Sequence, residues 1–176
     1  MATVSSNLYN SLTDPSASTA PPPDAGTLGG SVRIAMGTIA LGAAEAGAND
    51  VIKLAPLPSN ARPLSIVLFN DALDSGTTGT ADLGLYVHDA GATVSGAAED
   101  DDCFASAITD LRAAVTGGTE VVCEAGATAV ALFSKRIWEW AGLSADDHKL
   151  HDLCITCDAA HDQAGDLSFR IMYVVD

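Results

Sequence analysis

Four cysteines and four histidines are the residues of this chain best suited to chemistry. Cys154-Ile155-Thr156-Cys157 has C-x-x-C spacing, and Cys103, Cys123 and the histidines raise the question of zinc. Zinc ribbons grip the ion with two close cysteine pairs in tight turns. Here there is one close pair, in a segment that reads as strand, where residues three apart point to opposite faces. The thiols then cannot converge on one ion. A redox C-x-x-C opens a helix, whose N-terminus lowers the thiol pKa, and no helix follows this one. The pair reads as small core residues or free thiols. A disulfide joining two of the four, for instance Cys103 to Cys123, is not fixed by spacing.

His148, His151 and His161 neighbour Asp146, Asp147, Asp152, Asp158 and Asp162. Imidazoles and carboxylates together serve metal or acid–base sites. Acidic residues are scattered along the whole chain, however, so this cluster reads as a solvated loop. The run Glu99–Asp102 offers oxygen ligands for Ca²⁺ but lacks the D-x-D-x-D-G spacing, and reads as an acidic loop or a helix N-terminus. The chain has no G-x-S-x-G elbow, phosphate loop or H-E-x-x-H motif. No catalytic residue, cofactor or metal is expected.

Trp138 and Trp140 suit binding better than catalysis. They lie on a short amphipathic segment, Lys135–Leu143, and stand about 200° apart on a helix. One ring can enter the core while the other faces outward as an anchor for a neighbouring subunit. The alternative is that both line the core.

The elements that must position these residues read mainly as strands. Val32, Ile34 and Met36 share one parity and Ile39 and Leu41 the other, so Gly37 reads as a β-bulge. Further strands are expected at Asp50–Leu57, Arg62–Phe69 (apolar on both faces, hence central), Thr80–His88, Thr119–Cys123, Thr128–Phe133, Leu150–Ala159 and Leu167–Val175. Cys103–Ala114 reads as a short helix, because Phe104, Ile108 and Leu111 fall at helical spacing. About eight short strands with one or two short helices and no βαβ rhythm predict an all-β fold, an antiparallel β-sandwich or jelly roll over residues 31–176. Residues Met1–Gly30 differ: they are rich in Ser, Thr, Pro and Gly, and Pro21, Pro22 and Pro23 favour an extended arm. Leu8, Tyr9 and Leu12 are its apolar anchors.

Composition narrows function further. Apolar residues make up 48% and aromatics 5%, which suits a tightly packed sandwich. Twenty-three acidic residues against eight basic give a net charge of −15. Such a surface repels nucleic-acid phosphates and anionic membranes. No apolar run approaches the roughly 20 residues of a spanning helix. Met1–Pro15 lacks the basic and apolar blocks of a secretory signal, so assembly in a cytoplasm is expected.

Several segments, taken in order, carry a resemblance. Gly37–Pro58 joins a Gly-Thr-Ile-Ala-Leu strand to Asp50-Val51-Ile52-Lys53-Leu54 and a Leu57-Pro58 stop. Ala61–Leu68, Leu83–Asp89, Asp102–Ala107 and Arg136–Leu143 follow. This set resembles small virion structural proteins of tailed bacteriophages, especially head decoration (cement) proteins, over roughly Ser31 to Val175. The resemblance implies a jelly-roll-like subunit without catalytic residues. It implies binding to the outside of an assembled capsid, with the major capsid protein as partner and commonly as a homotrimer. Contacts are then expected from Tyr9, Leu12 and Pro21–Pro23, with Trp138 or Trp140. Two other functions fit an all-β chain: a carbohydrate-binding sandwich on the virion surface, and a metal-dependent enzyme using the C-terminal Cys and His residues.

Overall fold

The computed structural model describes residues 31–43, 45–89, 97–122 and 130–175. The expectations for the Met1–Gly30 arm, including Tyr9, Leu12 and Pro21–Pro23, and for Cys123 lie outside the described residues.

Among the described residues eight strands form: β1 (Ser31–Leu41), β2 (Val51–Pro58), β3 (Ala61–Asn70), β4 (Thr80–Val87), β5 (Ala98–Ile108), β6 (Val115–Glu120), β7 (Leu150–Ala159) and β8 (Gly165–Val175). They make two four-stranded antiparallel sheets, ordered β1-β8-β3-β6 and β2-β7-β4-β5. Strand 1 lies beside 8, 2 beside 7, 3 beside 6 and 4 beside 5. This is the pairing of one long hairpin rolled on itself, the jelly roll. Alternation drives it: Ile66 and Leu68 of β3 and Leu167, Phe169 and Ile171 of β8 face Leu83 and Leu85 of β4 and Leu153 and Ile155 of β7 in one core. As expected, β3 is an inner strand, hydrogen-bonded to both β8 and β6.

Three expectations need correction. Cys103–Ala114 is not a helix. Cys103–Ile108 completes β5, and only the 3₁₀ turn Asp110–Arg112 follows. The helical spacing comes from bulges in an edge strand. Two residues of β4, Ala81 to Leu83, oppose three of β5, Ile108 to Ala105, and the next two oppose five. Inward positions therefore recur at intervals longer than two, and Ala107 takes φ +53° to accommodate this. The acidic run Glu99–Asp102 is accordingly part of β5 rather than a loop. Secondly, Val130–Ser134, which overlaps the strand expected at Thr128–Phe133, is a 3₁₀ turn, and the strand expected at Thr119–Cys123 runs instead over Val115–Glu120. Thirdly, β1 has no phase change at Gly37. From Ala35 to Leu41 the odd residues turn inward without interruption, and Val32, Ile34 and Met36 lie on the outer face. Gly37 makes room for a ring: a Cβ there would come within 2.9 Å of Phe169.

The helix expected at Lys135–Leu143 is present as one turn, α1 (Ile137–Trp140). The Glu139 carboxylate accepts the Arg136 N–H at 2.7 Å and closes the turn. Trp138 N–H donates to the Ser59 carbonyl at 3.1 Å, and Ser59 Oγ donates to Asp146 Oδ1 at 2.5 Å. These bonds tie α1 and the loop before β7 to the β2–β3 turn. Among the described residues, no helix is long and apolar enough to cross a membrane.

Candidate functional site

The three cysteines among the described residues lie where no chemistry is helped. Cys154 and Cys157 sit in β7, both fully buried, with Cys157 in the core and Cys154 on the opposite parity. Burial pushes the Cys154 thiol up to about 12 and the Cys157 thiol up to about 11, and Cys103 is raised further still. Nearby carboxylates add to each shift. These are protonated, shielded thiols, the opposite of an activated nucleophile. All three are free. Among the described residues, no group of three His, Cys, Asp or Glu side chains is arranged to hold a metal ion.

The histidine-rich segment is not the solvated loop that its composition suggests. His148 is exposed, but His151 and His161 are 1% and 2% exposed. Two carboxylates clasp His151: Nδ1 lies 2.5 Å from Glu99 Oε2 of β5, and Nε2 lies 3.1 Å from Asp147 Oδ1. One residue on, the buried Asp152 meets Lys53 Nζ of β2 at 2.7 Å, His88 Nδ1 at 2.7 Å and the Asp89 N–H at 3.2 Å. Burial alone would push the Asp152 carboxyl up, but Lys53, His88 and the Asp89 N–H together hold it below the usual carboxylate range. His88, Glu99, Asp147 and His151 border a cleft of about 290 Å³ flanked by the half-exposed Val87 and Leu150. These bonds join β2, β5, β7 and the residues that follow β4 at one end of the sheet. Sequence reasoning missed the cluster because Glu99 lies 52 residues from His151 and His88 lies 64 from Asp152, with Lys53 farther still.

The two tryptophans divide as their spacing allows. Trp140 is buried, its ring centroid 4.8 Å from that of Phe104, with Lys135 Nζ 5.1 Å from the Trp140 ring centre. Trp138 remains half-buried.

Two surfaces contrast strongly. The β2-β7-β4-β5 sheet carries seven carboxylates (Asp82, Glu99, Asp100, Asp101, Asp102, Asp152, Asp158) against one lysine, Lys53. Crowding shows: burial first, then the charges of Asp82, Asp101 and Asp102, hold the Asp158 carboxyl above its ordinary range. The β1-β8-β3-β6 sheet carries Arg33, Arg62 and Arg170 against Glu120 and Asp166. On its outer side β1, an edge strand, exposes Val32 at 56%, Ile34 at 53% and Met36 at 70%. Their shared parity in the sequence did not say which face of β1 is buried. The usable signal was the unbroken odd series Ala35, Gly37, Ile39, Leu41.

A chain in the capsid of Ralstonia phage GP4 superposes with a TM-score of 0.61 at 22% identity, covering 92% of this chain and 93% of that one. The fold is shared with phage capsid chains. A second match, in the capsid asymmetric unit of cyanophage Pam1, has a TM-score of 0.53 at 18% identity, covering 93% of this chain and 97% of that one. No protein-family model and no curated protein matches the chain.

Proposed function

We propose that this protein is a structural component of a phage virion that decorates and stabilises the outer surface of the capsid as a homo-oligomer, with the major capsid protein as its partner. The observation that carries this reading is the extent of the fold match: more than nine-tenths of both chains superpose on a chain of a phage capsid. The likeness is that of one whole subunit to another rather than of a shared module. Two further features support the outer surface. A net charge of −15 disfavours contact with packaged nucleic acid. The buried histidines and thiols are all consumed by packing, which suits a structural role. The mechanism is burial of apolar contacts between subunits and across the joints of the shell, with many weak sites adding by multivalency.

The test is to add purified protein to particles lacking it, then measure co-sedimentation and the temperature at which the particles release DNA. Saturable binding with a raised release temperature is the expected result. Particles that neither bind the protein nor gain stability would overturn the decoration role.

A further inference from the structure

We propose that Val32, Ile34 and Met36 on the outer face of β1 form the self-association surface of this protein, occupied by the same stripe of a second copy. This deepens the homo-oligomer reading above and rests on it for the biological setting only.

Charge distribution selects the occupant. A chain of net charge −15 repels its own copies over most of its surface. The acidity is concentrated on one sheet, with seven carboxylates against one lysine, whereas the sheet bearing the stripe has three arginines against two carboxylates. Copies meeting at β1 therefore contact each other through the one sheet whose charges nearly balance. Their acidic sheets then point away from the contact. Each lies a sandwich thickness behind it, about 10 Å, so the two acidic layers stand roughly 20 Å or more apart. The Debye length at physiological salt is about 8 Å, so most of the repulsion between those layers is screened.

The stripe itself is built for contact. Three successive outward positions of an edge strand hold large apolar side chains, each more than half exposed. Singly exposed apolar residues are ordinary, but a contiguous set on one face marks an interaction site. Arg170 and Met172 stand on the adjacent strand β8. Thr38 Oγ1 and Ser168 Oγ, 2.8 Å apart, join the two strands just beyond the stripe. Met36, the most exposed of the three, is also the most adaptable in shape.

The experiment measures the mass of the full chain by light scattering across a range of concentrations. It compares wild type with Ile34→Asp, Met36→Asp and, as a control on the other sheet, Leu150→Asp. Thermal unfolding of each is recorded. Wild type is expected at a whole-number multiple of 17.9 kDa, shifting towards the oligomer as salt is raised. Ile34→Asp and Met36→Asp are expected at the monomer mass with an unchanged unfolding midpoint, and Leu150→Asp at the wild-type mass. Should Ile34→Asp fail to fold, the milder Met36→Lys decides. A wild type that is monomeric at every concentration, or stripe variants that keep the wild-type mass, would overturn the proposal. The two readings fail separately. A monomeric wild type that still stabilises particles sinks the self-contact and the homo-oligomer with it, but not the decoration role. An oligomer that dissociates on Ile34→Asp but never binds particles sinks the decoration role alone.

Discussion

Both ring nitrogens of His161 are buried without a hydrogen-bond partner, beside Asp74 and Arg112. Burial lowers its pKa below the ordinary value, outweighing the pull of Asp74. The imidazole is thus neutral in the fold, whereas the unfolded chain takes up a proton near pH 6.5. Stability contributed by neutral His161 is present above that pH and is lost as pH falls towards the folded value. His161→Leu removes the titration and leaves no polar atom unpaired. Its urea midpoint is expected to change less than that of wild type between about pH 5 and pH 7; an equal change would refute the assignment. The thiols give a second prediction at this scale. Cys154 and Cys157, raised and enclosed, should react with a disulfide reagent only after unfolding. Rapid labelling of either thiol in the native protein would contradict their placement.

At the scale of elements, β5 is the most demanding strand. Its bulge lies against Gly84 of β4, where a Cβ would come within 2.2 Å of the Asp100 carbonyl oxygen and 2.5 Å of the Asp101 Cα. Both are backbone atoms, which cannot swing aside. Gly84→Ala is expected to cost about 3 kcal/mol, read as a lowered denaturant midpoint. In α1, Trp140→Ala is expected to cost about 3–5 kcal/mol, because its ring fills the core against Phe104. Trp138→Ala should cost clearly less, and equal losses would refute the split. The strands most legible in the sequence were those with one buried face and regular alternation. Leu150–Ala159 was found to the residue, and Leu167–Val175 lacked only its first two. What stayed hidden was non-local. Bulges in β5 copied the helical period, and β1 put apolar residues outside. Glu99 of β5 reaches His151, and Asp152 of β7 reaches His88, from far along the chain. Periodicity reports burial within one segment. It does not report which distant strand will cover a side chain, nor that an apolar face is left for another molecule.

The whole molecule divides its labour between two sheets, an acidic one and a near-neutral one with an apolar stripe. That division makes a prediction for the segment before β1. Deleting residues 1–30 is expected to weaken binding to particles while leaving the unfolding midpoint of the sandwich unchanged. Unchanged occupancy on purified particles would dismiss the arm as a contact. The rolled topology has a further consequence, for biosynthesis. In its sheet, β8 lies between β1 and β3, although it is the last of the eight strands to leave the ribosome. Until it arrives, β1 has no neighbour in its sheet and half the core lacks Leu167, Phe169 and Ile171. The sandwich cannot close domain-first during translation, and its long-range pairings make for slow folding. A chain cut short before Gly165 loses an inner strand rather than an edge. Only chains translated through β8 can therefore complete the sandwich.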